Sequence, residues 1–213
     1  MGAARALMFD FNGTLSHDEP LLLAIYQWLF ARYGRPLTEE QYYGRLAGLS
    51  EEAIIGGWLG VDGPLLASLV TERVERYAAR AADGRTVTEP LREALRYAAA
   101  RVPVAIVSGA YRAEIEPVVE AAGIAADVTT VVAADDVTQG KPHPEGYLRA
   151  LERLGVDPAE AVAFEDTEAG VAAAKAAGVR CLAVRGTLPD DRLAAADELV
   201  DRIDVALVRR LVG

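Results

Sequence analysis

Asp10, Asn12, Ser108, Lys141, Glu165 and Asp166 have the types and settings to act together chemically. Asp10-Phe11-Asn12-Gly13-Thr14 follows the apolar run that ends at Phe9, and Ser108-Gly109 follows Val102–Val107. Gly140-Lys141-Pro142 comes after a third such run, and Glu165-Asp166-Thr167 closes a fourth. Singly, each has an ordinary explanation as a turn, a helix cap or a solvated loop cation. As a set, they are two carboxylate clusters, a hydroxyl and one of only two lysines, the other being Lys175. Such a set suits phosphoryl transfer. Asp10 and Asp166, with a backbone carbonyl, offer the hard oxygen ligands that Mg²⁺ prefers. A carboxylate can attack phosphorus and hold the group as an aspartyl phosphate. Mg²⁺, Lys141, the Ser108 hydroxyl and the amides near Phe11, Asn12 and Gly109 would then spread the charge of the transferring group.

These residues work together only if one scaffold brings them to one edge. Arg5–Asp10, Val102–Val107, Asp127–Ala133, Ala161–Glu165 and Arg180–Val184 read as short buried strands. Helical spacing fills Leu91–Ala100, Glu114–Ala122, Glu145–Leu154 and Ala169–Ala177, with Gly123, Gly155 and Gly178 just past the last three. Strands alternating with helices predict a doubly wound α/β core, a Rossmann-like parallel sheet with its site beyond the carboxyl ends of the strands. The alternation breaks once. Residues 16–88 read instead as four helices, Glu19–Tyr33, Thr38–Ala47, Ser50–Leu59 and Pro64–Ala82. The expected organisation is a core of residues 1–15 and 89–213 with an α-helical insert at 16–88, joined through Ser16–Asp18 and Thr86–Pro90.

The net charge of −10 over 213 residues argues against nucleic acid or an anionic membrane as partner. It also leaves capture of an anionic substrate to local cations. Cys181 is the single cysteine, so no internal disulfide can form. The N-terminal segment does not read as a secretory signal, and no apolar run reaches the length of a membrane span. A cytoplasmic protein is expected.

The motifs also carry a family resemblance. ALMFDFNGTL resembles the first signature of the haloacid-dehalogenase superfamily, an apolar strand followed by D-x-D-G-T. IVSG, GKPHP and AFEDTEAGVAAAKAAG resemble its second, third and fourth motifs in order, covering about residues 5–187. The insert after motif one resembles the helical cap of the phosphatase and β-phosphoglucomutase-like branch. The resemblance implies a Mg²⁺-dependent hydrolase of a small phosphorylated metabolite. It makes Asp10 the nucleophile and Ser108 and Lys141 the phosphate holders. Asp10, the Asn12 carbonyl and Asp166 become metal ligands, with Glu165 acting through a metal water or by orienting Lys141.

The chain departs from the family pattern at Asn12, where most such phosphatases carry an aspartate that protonates the leaving oxygen and later activates water. Asn cannot move that proton, and general acid–base help is worth about 10²–10⁴-fold. The other reading is therefore a phosphate-metabolite binding or regulatory protein with weak or lost turnover. Residues 16–88 contain no lysine, which excludes the Schiff-base chemistry of phosphonoacetaldehyde hydrolases. Arg45-Leu46-Ala47-Gly48-Leu49-Ser50-Glu51 resembles the substrate-facing cap loop of β-phosphoglucomutase relatives, which place basic residues where Ala47 and Glu51 stand. Only Arg45 remains near that loop, as a substrate contact or as a surface charge. A bisphosphate mutase is therefore disfavoured.

Overall fold

The computed structural model describes residues 2–213. Its centre is strand β1 (Ala6–Phe9), four apolar residues buried on both faces. On one side β1 pairs in parallel with β2 (Val104–Val107), and β2 with β3 (Thr130–Val132). On the other side it pairs with β4 (Ala161–Glu165), followed by β5 (Arg180–Val184) and β6 (Glu198–Val200). The order is β3-β2-β1-β4-β5-β6, all parallel. Continuous apolar strands are what a sheet covered on both faces requires. The chain leaves β1 toward β2 and later returns to its other side as β4. The carboxyl ends of these three strands therefore flank the crevice where such sheets place their sites.

Four helices separate β1 from the rest of the core: α1 (Glu19–Ala31), α2 (Glu39–Arg45), α3 (Glu51–Leu59) and α4 (Gly63–Ala81). Thr38 and Gln41 form the capping box that their spacing predicts, with Thr38 Oγ1 accepting from the Gln41 N–H at 3.2 Å. Helix α4 packs on α1 and α3, and also on α6 (Arg112–Ala121) of the core. The two segments that join the insert to the sheet lie side by side, the His17 N–H donating to the Thr86 carbonyl at 2.8 Å. Helices α5 (Glu89–Ala99), α7 (Glu145–Leu154) and α8 (Glu168–Ala176) link the strands, and α9 (Val205–Val212) packs on α5.

The sheet has a sixth strand that the apolar runs do not announce. β6 is a three-residue edge strand with two half-buried positions, too short for a periodic signal. The third strand is also shorter than the Asp127–Ala133 run, because Ala125–Asp127 coils into a 3₁₀ turn before it.

Candidate active site

Asp10 continues β1 by one residue, its N–H donating to the Phe164 carbonyl at 2.9 Å. The chain then turns tightly: the Ser16 N–H donates to the Phe11 carbonyl at 2.8 Å, and Gly13 takes a φ of +73°. Glycine is needed at 13 for space as well as for φ, since a Cβ there would lie 1.9 Å from Asp166 Oδ2. Gly170 has the same use beside β4, where a Cβ would meet Glu165 Oε2 at 1.9 Å. The two glycines let the backbone close around the carboxylates at the end of β4.

Lys141 bridges the two strands. Its Nζ lies 2.6 Å from Asp10 Oδ1 and 2.6 Å from Glu165 Oε1. Tyr147 of α7 donates to the same Glu165 oxygen at 2.5 Å. Glu165 therefore touches Lys141 through one oxygen and leaves the other for the acidic cluster. Thr14 Oγ1 donates to Asp166 Oδ1 at 3.2 Å. Glu165 Oε2 and Asp166 Oδ2 are buried without a hydrogen-bond partner. Oxygens of Asp10, Glu165 and Asp166 lie within 4.8 Å of one another. Like charges packed so closely, with two orphaned acceptors among them, form a buried acidic cluster whose hard-oxygen donor set fits a divalent cation.

The electrostatics follow from burial. Burial pushes Asp166 well above the usual carboxylate range, and the neighbouring Asp10 and Glu19 push it further. Burial also raises Glu165, to about 7, against the opposing pull of Lys141. For Lys141, burial disfavours the charge, but Asp10 and then Glu165 outweigh it and hold the ammonium more firmly than usual.

Ser108, at the end of β2, is 7 % exposed, and its Oγ accepts from the Ala110 N–H at 3.1 Å. It therefore caps the following turn while lining the same cavity as Asp10, Asn12, Gly109 and Lys141. Phe11 is fully buried in the core, so only its backbone is available to the site. Arg45 is not brought to the cavity: it sits exposed in the last turn of α2, outside the lining residues. Asn12 has a partner that the sequence reading missed. Its Nδ2 donates to Asp18 Oδ2 at 2.9 Å, and the buried Asp18 also accepts from the Gly13 N–H at 3.2 Å and from the Tyr77 hydroxyl of α4. His143, which has no metal-ligand spacing with His17, lines the cavity as well.

The cavity holds about 410 Å³ and is walled by the core on one side and the insert on the other. The insert contributes Glu19 and Tyr26 from α1, Tyr42 from α2, Glu51 and Glu52 from α3, and Arg73 from α4. Burial raises both Glu19 and Glu114, each to about 7 from an ordinary 4.5. Such groups bind protons more tightly folded than unfolded. Their stabilising contribution is full below 4.5 and is lost as pH rises through 7. Metal-free protein should therefore melt at a lower temperature at about pH 8 than at about pH 6, with Glu114→Gln flattening the trend. Melting curves that rise with pH over that window would contradict this assignment.

A doubly wound parallel sheet with a polar, lysine-bridged cluster at its switch point and a helical insert after its first strand defines a Rossmann-like α/β protein whose site is built for chemistry on an anionic group. The model of the haloacid dehalogenase-like hydrolases matches residues 4–178. The chain belongs to that family and is a phosphohydrolase. It is 32 % identical over 198 residues to validoxylamine A 7'-phosphate phosphatase of Streptomyces hygroscopicus subsp. limoneus, covering 92 % of each chain. It is 32 % identical over 183 residues to a phosphorylated carbohydrates phosphatase of Thermotoga maritima, covering 82 % of each. The crystal structure of a CbbY variant from Rhodobacter sphaeroides in complex with xylulose-(1,5)bisphosphate superposes with a TM-score of 0.84 at 29 % identity, over 94 % of this chain and 95 % of that one.

Proposed function

We propose that this chain is a Mg²⁺-dependent hydrolase of a small phosphorylated metabolite that works through an aspartyl phosphate on Asp10. The observation behind the reading is the placement of Asp10 on the cavity wall with one carboxylate oxygen held at 2.6 Å by Lys141. In the proposed reaction an Asp10 oxygen attacks phosphorus, and the bond from phosphorus to the leaving oxygen breaks. Lys141, the Ser108 hydroxyl and the amides of the Asp10–Gly13 turn and of Gly109 neutralise the phosphoryl oxygens. Asn12 donates no proton, so the leaving oxygen takes its proton from solvent. Water then attacks the aspartyl phosphate, which frees phosphate and restores Asp10. Asp10, the Asn12 carbonyl and Asp166, with Glu165 beside them, are the residues to hold Mg²⁺, which supplies Lewis-acid charge neutralisation when bound.

In this reading residues 16–88 act as a cap hinged at Ser16–Asp18 and Thr86–Pro90, shielding the aspartyl phosphate from bulk water. The relatives named as phosphatases of validoxylamine A 7'-phosphate and of phosphorylated carbohydrates support a small phosphorylated substrate. The described residues contain no helix long and apolar enough to cross a membrane, which suits a cytoplasmic enzyme. Slow turnover, with the chain serving chiefly as a phosphate-metabolite binder or regulator, is a second reading. It draws on the engagement of Asn12 Nδ2 with Asp18, which leaves no proton-transferring group at that position.

Phosphate release from a panel of phosphorylated metabolites, with Mg²⁺ and with chelator, tests the reading. Asp166→Ala should abolish metal-dependent release and calorimetric Mg²⁺ binding while the far-ultraviolet spectrum stays unchanged. Wild-type Mg²⁺ affinity in that variant would remove Asp166 from the metal site.

A further inference from the structure

The loop after β2 carries Ser108 and the Gly109 amide, two of the groups assigned to the phosphoryl oxygens, and ends at Tyr111, the N-cap of α6. Core contacts hold its first part. The Ser108 N–H donates to the Val132 carbonyl and the Ala134 N–H to the Ala110 carbonyl, each at 2.9 Å. Tyr111 is tied instead toward the insert, and at both of its polar ends. Its hydroxyl donates to Glu52 Oε1 of α3 at 2.5 Å. Its backbone N–H donates to Glu114 Oε2 at 3.1 Å, and the other Glu114 oxygen is held by Arg73 of α4. Arg73 in turn lies 3.0 Å from Glu51, the residue before Glu52. The contacts form a ring. They run from the first turn of α3 through Arg73 and Glu114 to Tyr111, and return to α3 through Glu52.

The two arms of the ring differ in strength. Arg73 and Glu114 are 1 % and 0 % exposed, and breaking so buried a pair within the fold would leave a charge without its partner. Glu114 belongs to the core, yet the insert fixes its orientation and, through it, the backbone of Tyr111. The arm through Glu52 sits at the rim, where water competes, so it carries the smaller share. Swinging the insert outward moves α3 and α4 away from α6. Tyr111 would then lose Glu52, Glu114 would lose Arg73, and the loop beside Gly109 would be held from the β3 side alone. We infer that Tyr111 is a positioning residue through which closure of the insert sets the phosphate-holding loop. The coupling is reciprocal: whatever closure adds to phosphate affinity, bound phosphate adds to closure. The inference rests on the phosphatase reading above and supplies a link between its cap and its phosphate site.

The test uses Mg²⁺-loaded protein with inorganic phosphate, a probe with no part that must reach the insert. In the wild type, phosphate should slow hydrogen exchange in residues 46–52 of the insert as well as in residues 108–114 of the core. Tyr111→Phe keeps the ring and the backbone N–H, and Glu52→Ala changes an exposed side chain, so neither should threaten folding. Each should weaken inhibition of p-nitrophenyl phosphate hydrolysis by inorganic phosphate about threefold to tenfold, the factor one hydrogen bond carries. The double variant should be no weaker than either single one, because both remove the same contact. Protection of residues 46–52 by phosphate should shrink in the same proteins. Unchanged phosphate inhibition in both single variants, with or without a lower melting temperature, makes Tyr111 merely structural and overturns the inference. Protection confined to the core segment in the wild type overturns it too. Asp10-dependent hydrolysis of p-nitrophenyl phosphate in the same preparations keeps the phosphatase reading intact in either case, and its absence overturns both.

Discussion

Asp10→Asn protein should release phosphate roughly 10⁴- to 10⁶-fold more slowly than the wild type, the range seen when a nucleophile is lost from a site whose other groups act through it. The substitution is nearly isosteric and leaves Lys141 its second partner, Glu165 at 2.6 Å, so the local packing should survive. A slowdown of less than about tenfold would mean that water or another carboxylate attacks phosphorus directly, and the aspartyl phosphate would have to be abandoned. Rapid acid quenching of the wild type, followed by mapping of the phosphorylated peptide, gives the positive counterpart: the label should fall on the segment that contains Asp10.

The second large effect should come from restoring a carboxylate beside the nucleophile. Asn12→Asp should raise steady-state hydrolysis of alkyl phosphates by up to roughly 10²–10⁴-fold, because an alkoxide needs a proton as it leaves. Acyl and aryl phosphates, whose leaving groups depart unaided, should gain little at the first step. Asp18 complicates the substitution. It accepts from Asn12 Nδ2 at 2.9 Å, so an aspartate at position 12 would set two carboxylates side by side. Such a pair holds one proton between them. The single variant should therefore lose its general base, and with it activity, below a pH higher than an ordinary carboxyl group would give. Adding Asp18→Asn restores a donor–acceptor pair with one charge, and the acidic limb of the profile should move to lower pH. If Asn12→Asp leaves alkyl phosphate hydrolysis unchanged, the loss of a proton donor at position 12 is no handicap and the mechanism needs another acid.

The two halves of the site differ in how far they can be read from sequence. The half at the strand ends is legible because topology does the positioning. Fully buried parallel strands appear as continuous apolar runs, and whatever follows them must meet at one edge. Asp10, Ser108, Lys141 and Glu165-Asp166 are found this way, and motif order adds the family. The other half comes from helices, where the pattern reports only which face is buried. Tyr26 and Arg73 occupy buried helix positions, and nothing in their spacing says that their polar ends converge on Glu51 and Glu114. The loop around Arg45 shows the converse. Proximity in sequence suggests Arg45 as a contact, but the last turn of α2 directs it to solvent, while Glu51, six residues on, is the buried partner of Arg73. At the edge of the sheet, β6 escapes the pattern because three residues, two of them half-buried, carry too little alternation to register.

The grip of Asp18 on the turn after β1 also bears on how the protein ages. Asn12-Gly13 is the dipeptide that most readily deamidates, when the glycine nitrogen loses its proton, attacks the side-chain carbonyl and expels ammonia. Here the Gly13 N–H is donated both to the Ser16 carbonyl at 2.8 Å and to Asp18, and the departing amide nitrogen is itself bonded to Asp18. Cyclisation would have to break all three contacts, so it should proceed mainly through local opening of the turn. In stored native protein Asn12 should convert far more slowly than in a peptide of the same sequence, and Asp18→Ala should narrow the gap. Equal rates in peptide and protein would mean the turn opens freely. Otherwise the chain keeps asparagine at position 12 over its working life, rather than drifting toward aspartate.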